Sequence, residues 1–202
     1  MNRFLKIAGL LAVAGATVAA ASYPNGWNVD SAHTGVNFSV RHFFTPVRGT
    51  FSDYEVNLNF DAANPENSSF EVTIATASVN TGVEKRDNHL RSADWFEVDK
   101  YPYMTFKSTS IKRTGENQFL AVGDLTIKDV TKQVELPITM LGIKDIPEPM
   151  QEMLAGVKRV ASFEGGGELD RRDFGVGVGS WAETMVVSAD VAIEFTLEAN
   201  AK

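Results

Sequence analysis

The chain has 202 residues, with 26 acidic and 19 basic side chains, a formal net charge of −7 and no cysteine. The lack of cysteine excludes disulfide bonds and thiolate chemistry. The acidic balance argues against binding to nucleic acid, and against docking on anionic headgroups through overall charge. A chain of this length can bury a core that is stable without cross-links.

Residues 1–21 have the three parts of a secretory signal peptide. Residues 1–6 are basic, residues 7–18 are almost entirely apolar, and residues 19–21 are three alanines suited to a cleavage site. The apolar run is shorter than the roughly 20 residues that a membrane-spanning helix needs. We therefore expect cleavage that leaves residues 22–202 as a single mature domain. This domain has two basic residues fewer than the full chain.

Apolar and polar residues alternate along most of the remaining chain, as in half-buried strands. The alternation begins at Trp27 and Val29 and continues in residues 36–40, 54–60, 70–74, 104–108, 119–127, 134–140 and 185–197. Only two residues separate Ile127 from Val130, which predicts a tight hairpin. There is no βαβ rhythm and too little helix to cover a sheet, so we predict an all-β, antiparallel, closed barrel of about eight strands. Such a barrel is either filled by side chains or able to hold one small ligand.

One segment interrupts this alternation. Thr81 stands three residues before Glu84, the spacing of a capping box, which predicts a short helix inserted near residues 82–92. Charged residues crowd this helix, and they occur at the spacing of stabilising ion pairs. We expect an ion-pair network to clamp the helix to the barrel, with Arg171 and Asp173 as partners.

Two later segments also break the strand pattern. Residues 142–157 contain two prolines, and their Met150, Met153 and Leu154 fall at helical spacing. They predict a surface loop with one helical turn packed by these side chains, or alternatively a flexible methionine-rich rim at the mouth of a pore. Residues 165–167 are three glycines within an expected strand, which predicts a bulge or a bend.

The histidines, His33, His42 and His89, lack the short spacing of metal ligands, so no metal site is expected. His33 closely follows Asp30, and the two side chains are expected to hydrogen-bond each other or the backbone rather than a metal. Glu84, Asp87 and His89 could form an acid/base set, but neither a cysteine nor a G-x-S-x-G nucleophile elbow occurs. We therefore do not expect an enzyme.

Several motifs occur together in a fixed order. They are D-S-A-H at 30–33, V-R-G-T-F at 47–51, E-x-R-D-x-H-L-R-S-A-D at 84–94 followed by two aromatics, K-Y-P-x-x-T-F at 100–106, G-D-L-T-I at 123–127, V-T-K at 130–132 and R-R-D-F-G at 171–175. With these motifs the chain resembles the YceI-like family of periplasmic lipid-binding proteins. Residues 142–157 depart from the family pattern, which has a shorter, glycine-rich loop there.

The resemblance implies a lipocalin-like barrel in the periplasm, with an apolar pore that holds a long isoprenoid lipid of the quinone or polyprenyl pyrophosphate type. It implies no cofactor and no nucleic acid partner, and it leaves transient membrane contact and a homodimer open. The alternatives are a hydrolase acting on a lipid head group and a ligand-free stress or interaction protein. The apolar side chains expected to line the pore are Phe38, Val40, Phe51, Phe60, Val72, Ile74, Trp95, Phe106, Leu125, Phe163 and Phe174.

Overall fold

The computed structural model describes residues 26–202, so the predicted signal peptide lies outside the described residues. Within them are eleven strands and two α-helices. The strands are β1 Trp27–Val29, β2 Gly35–His42, β3 Thr45–Phe51, β4 Tyr54–Asn59, β5 Ser69–Ala75, β6 Val79–Asn80, β7 Tyr103–Arg113, β8 Gln118–Ile127, β9 Val130–Asp145, β10 Arg159–Asp170 and β11 Val187–Ala201. The helices are α1 Glu84–Arg91 and α2 Glu148–Gln151. None of the helices in this range is long and apolar enough to cross a bilayer.

All eleven strands belong to one curled antiparallel sheet, which confirms the predicted fold class. The strand order is β4-β5-β7-β8-β9-β10-β11-β2-β3-β6, and β1 pairs with β11. Most neighbours in this order are consecutive in sequence, and short turns join β2 to β3, β7 to β8 and β8 to β9. The predicted hairpin at residues 128–129 is one of these, since Ile127 pairs with Val130.

The ladder does not close, which corrects the closed barrel of about eight strands. At one end of the sheet β4 pairs with β5, and at the other end β6 pairs with β3, but no described ladder joins these ends. Side chains reach across the gap instead. The hydroxyl of Tyr54 donates to the carbonyl of Thr34 at 2.5 Å, and the rings of Trp27 and Phe60 pack edge to face with centroids 5.3 Å apart.

The inserted helix is present as α1, but the predicted capping box is wrong. No side chain caps the amino end of α1, which follows Val83. Gly82 has a φ of 75° and turns the chain so that Thr81 meets the carboxylate of Asp87 instead of Glu84. The side chain of Glu84 is exposed.

Hydrogen bonds to backbone carbonyls, rather than the predicted ion-pair network, fasten α1 to the sheet. Arg91 donates to the carbonyls of Ala77 and Val79 at 2.7 and 2.8 Å. The two expected partners lie elsewhere, because Arg171 binds backbone carbonyls and Asp173 forms an ion pair with Lys132 at 2.7 Å.

The two segments that broke the strand pattern also differ from expectation. Strand β9 runs on to Asp145, and α2 supplies the helical turn, but Met150, Met153 and Leu154 are exposed rather than packed. Residues 165–167 pair without interruption with β11, so the bulge is wrong, whereas the alternative of a bend stays a prediction. The register shift of β10 lies against β9, between Ser162 and Phe163.

Candidate functional site: an apolar cavity inside the curled sheet

The curled sheet surrounds an apolar cavity with a volume of about 180 Å³. It is elongated, because Phe119 and Ile127 at opposite ends of β8 both line it. Eight residue steps at about 3.3 Å each correspond to a length of about 26 Å along the strand. A cavity of this shape suits an extended chain better than a compact molecule.

Inward-pointing side chains of the sheet leave this space open. Val72, Ile74, Leu125, Ile138 and Ile193 all line the cavity, yet each is only half-buried. In a close-packed core, neighbouring side chains would cover such residues almost completely. Their remaining exposed surface faces the cavity, so this sheet is hollow rather than filled. The sequence had left these two outcomes open.

Eight of the eleven side chains predicted to line a pore are brought together here. They are Phe38, Phe51, Phe60, Val72, Ile74, Phe106, Leu125 and Phe163. The other three, Val40, Trp95 and Phe174, do not line the cavity. Val40 lies farther along β2, where it pairs with Val47 and Val191. Trp95 and Phe174 are buried in a cluster beside the cavity.

Sequence reasoning missed a further group of lining residues, most of them on β4, β9 and β11. They include Val56, Leu58, Val134, Leu136, Ile138, Ile193, Phe195 and Leu197. Each shares the inward parity of its alternating run, so the period of two could have identified them. The prediction of lining residues from the sequence favoured phenylalanines because of their size.

Packed clusters bound the cavity at both ends. At one end Phe51, Val79, Met104 and Ile127 pack with Trp95 below α1. At the other end Trp27, Leu58, Phe60, Ala161 and Ala199 form a second cluster. Both groups of residues are buried.

Three glycines let aromatic rings lie against the wall of the cavity. Phe38 faces Gly49 across β2 and β3, and Phe195 faces Gly165 across β11 and β10. Phe106 lies over Gly123 in the same manner. A methyl group at any of these glycines would overlap the neighbouring ring. The glycines therefore let the rings lie close to the wall and leave the lumen wider. At Gly165 the methyl group would also overlap the carbonyl of Pro137, and the sequence revealed neither contact.

A buried arginine organises the end of the sheet near α1. Arg171 is 4% exposed and donates to the carbonyls of Val176, Trp181, Val187 and Ser188 at 2.5 to 3.1 Å. Its guanidinium also lies 5.1 Å from the ring of Trp95. Burial lowers the pKa of this arginine.

The polar groups considered for catalysis or metal binding lie outside the cavity. His33 contacts Asp30 at 3.1 Å, as predicted, and Glu198 at 3.7 Å. Their ligand atoms lie within 4.8 Å of one another, but the hydrogen bond between Asp30 and His33 already accounts for the arrangement. This bond raises the pKa of His33 and lowers the pKa of Asp30.

The charged residues of α1 do not converge on one point. Glu84 is exposed, Asp87 binds Thr81, and His89 contacts Asp94 at 3.1 Å. None of them lines the cavity. Their arrangement therefore gives no support to the acid/base set considered from the sequence.

Comparison with known proteins gives consistent matches over the described residues. The family model described as YceI-like domain matches residues 27–199. Protein YceI from Escherichia coli O157:H7 is 39% identical over 175 residues, which cover 85% of this chain and 84% of that protein. A UPF0312 protein from Ectopseudomonas mendocina is 41% identical over 145 residues, covering 71% and 72%.

Solved structures share the architecture. BcnA from Burkholderia cenocepacia superposes with a TM-score of 0.74 at 29% identity, covering 85% of this chain and 99% of BcnA. The YCEI protein of Campylobacter jejuni gives a TM-score of 0.67 at 32% identity, covering 78% and 86%. A polyisoprenoid binding domain from Saccharophagus degradans gives 0.59 at 17% identity, covering 88% and 99%, a likeness in fold alone.

Proposed function

We propose that this chain, which belongs to the YceI-like domain family, is a binding protein that holds a long-chain isoprenoid lipid in its apolar cavity. The observation that carries the proposal is the open, elongated lumen whose lining side chains are almost all apolar. The tail of a quinone or of a polyprenyl pyrophosphate is the class of ligand with matching chemistry.

The energetics favour a tail over a polar ligand. Burying one CH₂ group contributes about 0.8 kcal/mol, so a five-carbon isoprene unit contributes up to about 4 kcal/mol. A few such units offset the entropic cost of association without any specific hydrogen bond. Affinity then depends on the length of the chain, while the head group stays outside the apolar lumen.

The choice of an isoprenoid rather than a fatty acid rests on two supports. The lining is built from branched and aromatic side chains such as Ile74, Leu125, Phe38 and Phe106, which offer pockets to a methyl-branched chain. The fold is also shared with the Saccharophagus degradans domain, whose description names polyisoprenoid binding. That likeness motivates the choice of ligand, and the lumen carries the argument.

We further propose that the protein works in the periplasm, because residues 1–21 have the pattern of a cleaved export signal. Intact mass measurement on protein from a Gram-negative host should show a chain that begins at Ser22. Recovery of the uncleaved chain from the cytoplasm would contradict this location.

Ligand binding can be tested with a pair of variants on opposite faces of β5. Ile74→Trp adds bulk inside the lumen, whereas Thr73→Trp adds the same residue type on the outer face of the strand, one position away. We expect Ile74→Trp to weaken binding of a fluorescent isoprenoid at least tenfold and Thr73→Trp to change it less than twofold.

Lipid extracted from protein purified from its own host should contain a polyprenyl species by mass spectrometry. The proposal fails if neither extraction nor incubation with a long-chain quinone gives a bound isoprenoid. It also fails if both tryptophan variants bind the probe as the unmodified chain does.

A further inference from the structure

The turn between β2 and β3 carries apolar side chains that the cavity does not use. His42 pairs with Thr45, so the turn consists of Phe43 and Phe44 alone. Phe44 is 94% exposed and Phe43 is 54% exposed. Met185, which is 82% exposed, lies next to this turn because the backbone N–H of Phe43 donates to the carbonyl of Val186 at 2.8 Å.

Folding does not explain these aromatic residues. Phe43 has a φ of 52°, in the left-handed region that bulky side chains rarely adopt. Two-residue hairpin turns favour Asn and Gly because these residues tolerate such a φ. A phenylalanine here accepts backbone strain although its ring is only half covered, by an edge-to-face contact with the ring of His42 at 4.8 Å. Departures from local sequence rules of this kind concentrate at functional sites.

Positive charge accompanies the exposed rings. Residues 31–52 contain two arginines and two histidines but no acidic residue, although the chain as a whole carries a net charge of −7. Arg41 and Arg48 are both exposed on the outer face of the hairpin. They are diagonal neighbours, since Arg41 pairs with Pro46 and Arg48 pairs with Ser39.

Neither guanidinium is neutralised by a neighbouring carboxylate. Both arginines line a groove on the outer face of the sheet, and the acidic residues of that groove are Glu168, Asp190 and Glu194. Among residues 26–202, no ion pair joins either arginine to a carboxylate. Both cations are therefore available to an external anion.

We propose that this hairpin tip docks the protein on the surface of an anionic lipid bilayer. Phe43, Phe44 and Met185 would enter the boundary between head groups and acyl chains, while Arg41 and Arg48 bind lipid phosphates. Arg41 lies one position before His42, the last residue of β2, and Arg48 lies three positions after Thr45, the first residue of β3, which is about 10 Å along the strand. Apolar side chains of interfacial elements enter this boundary by about 5–10 Å, so the arginines remain at the level of the head groups.

This docking goes beyond the proposed function and is independent of what the cavity holds. An acidic protein can approach anionic lipid in this way because the approach is made by one end of the molecule, through two arginines that no carboxylate among residues 26–202 pairs. His42, at the end of β2, pairs with Val187, whose carbonyl accepts a hydrogen bond from Arg171 near α1. Arg41 and Phe44 therefore lie at the end of the sheet near α1. Docking therefore presents that end of the sheet to the bilayer.

A vesicle flotation experiment tests the proposal. Protein purified after expression of the full chain is mixed with vesicles of phosphatidylcholine alone or of phosphatidylcholine and phosphatidylglycerol at 3:1. We expect binding to the anionic vesicles that weakens with added salt. One basic residue near an anionic surface contributes about 1 kcal/mol, so Arg41→Gln with Arg48→Gln should weaken binding roughly 30-fold. Phe43→Asn with Phe44→Ser should weaken it at least tenfold.

The opposite end of the molecule supplies matched controls. Met153 and Leu154 are exposed apolar residues in the turn between β9 and β10, and Lys144 and Lys158 are exposed cations nearby. Met153→Ser with Leu154→Ser, and Lys144→Gln with Lys158→Gln, should each leave binding within twofold. Urea midpoints establish that every variant is folded.

A second measurement locates the contact. A tryptophan introduced by Phe44→Trp should be quenched by lipids brominated on their acyl chains, whereas one introduced by Met153→Trp should not. The proposal is overturned if the unmodified chain does not float with anionic vesicles. It is also overturned if the control pairs lose as much binding as the hairpin pairs, or if brominated lipid quenches both tryptophans equally.

Discussion

The Oδ1 atom of Asp87 accepts hydrogen bonds from both the backbone N–H and the hydroxyl of Thr81, at 2.9 and 2.5 Å. The hydroxyl of Thr81 in turn accepts a hydrogen bond from Nε of Arg86 at 2.7 Å. Asp87 is 6% exposed, and this carboxylate holds the start of α1 through hydrogen bonds that are partly buried. The partner is a threonine and not an arginine, which changes the basis of the clamp expected from the sequence.

Asp87→Ala should lower the free energy of unfolding by about 1–3 kcal/mol, because it leaves the backbone N–H of Thr81 without its partner in a largely buried site. Urea denaturation measures this loss. The cavity lies elsewhere, so the folded fraction should still bind a fluorescent isoprenoid at the original affinity and release it at the original rate.

Glu84→Ala is the matched control for this prediction. The capping-box interpretation requires Glu84 to contribute, whereas the structure leaves its side chain exposed and predicts a change of less than about 0.5 kcal/mol. Equal losses in the free energy of unfolding for the two variants would support the capping-box interpretation. An unchanged urea midpoint for Asp87→Ala, together with faster ligand release, would show that α1 is a gate over the cavity.

Arg171 and Arg172 offer a comparison between adjacent residues in contrasting environments. Arg171→Lys should destabilise the fold by more than about 3 kcal/mol, because an ammonium cannot replace the planar guanidinium fork that binds several carbonyls. Arg172→Ala removes an ion pair to Asp170 on the exposed side and should cost far less, because solvent screens an exposed ion pair.

Thermal unfolding of both variants measures this difference. Near-ultraviolet circular dichroism provides a second readout, since the guanidinium of Arg171 lies over the ring of Trp95 and its loss should change the tryptophan signal. Similar melting temperatures for Arg171→Lys and the unmodified chain would show that the carbonyls are satisfied without the arginine.

The fold class was predictable because a half-buried strand has a side-chain period of two, which a single sequence displays directly. Strand β1 was included in the prediction through Trp27 and Val29, whereas β6 escaped because two residues are too short to show a period. The open ladder also escaped, because the contact of Tyr54 with Thr34 joins residues 20 positions apart and has no local pattern.

The lumen required information that the sequence does not contain. Leu125 and Ile127 have the same parity on β8 and both line the cavity, yet only Ile127 is buried. What separates them is the packed cluster at the end of the cavity, in which Ile127 is buried and which is assembled from residues distant in the chain. The sequence also could not show why position 165 is a glycine, because its cross-strand partner Phe195 is distant in the chain.

The pKa of His33 should lie above its ordinary value of 6.5, because the hydrogen bond and the charge of Asp30 favour the protonated ring. The chemical shift of the ring protons, followed by NMR against pH, measures it. Asp30→Asn should bring the pKa down. Glu198→Gln should lower it less, because Glu198 contributes only through its charge at 3.7 Å.

The same pair predicts a window of stability. Because the pKa of His33 is raised on folding, this residue stabilises the folded protein fully at pH values below 6.5, the pKa in the unfolded chain. The contribution disappears as the pH rises through the pKa in the folded protein. Asp30 has a lowered pKa, so the contribution also disappears as the pH falls through that value. The destabilisation caused by Asp30→Asn should therefore be larger at pH 5.5 than at pH 8.5, and equal effects at both values would contradict the pair.

Gly49→Ala tests whether glycines set the width of the lumen. A methyl group at position 49 would overlap the ring of Phe38, its cross-strand partner, and push that ring off the wall. Overpacking of this kind costs about 1–3 kcal/mol, measured by urea denaturation. The displaced ring should also narrow the cavity and weaken isoprenoid binding. Gly142→Ala, on β9 with no atom near the added methyl, should change neither quantity.

A second substitution separates crowding by the ring from strain in the backbone. In Gly49→Ala with Phe38→Leu, the smaller side chain leaves room for the methyl group, so the two changes should be non-additive and the double variant more stable than their sum predicts. The carbonyl of Asn80 also lies 3.0 Å from the added methyl. Additive losses would assign the cost to that backbone contact, and Gly49 would then have no part in holding the lumen open.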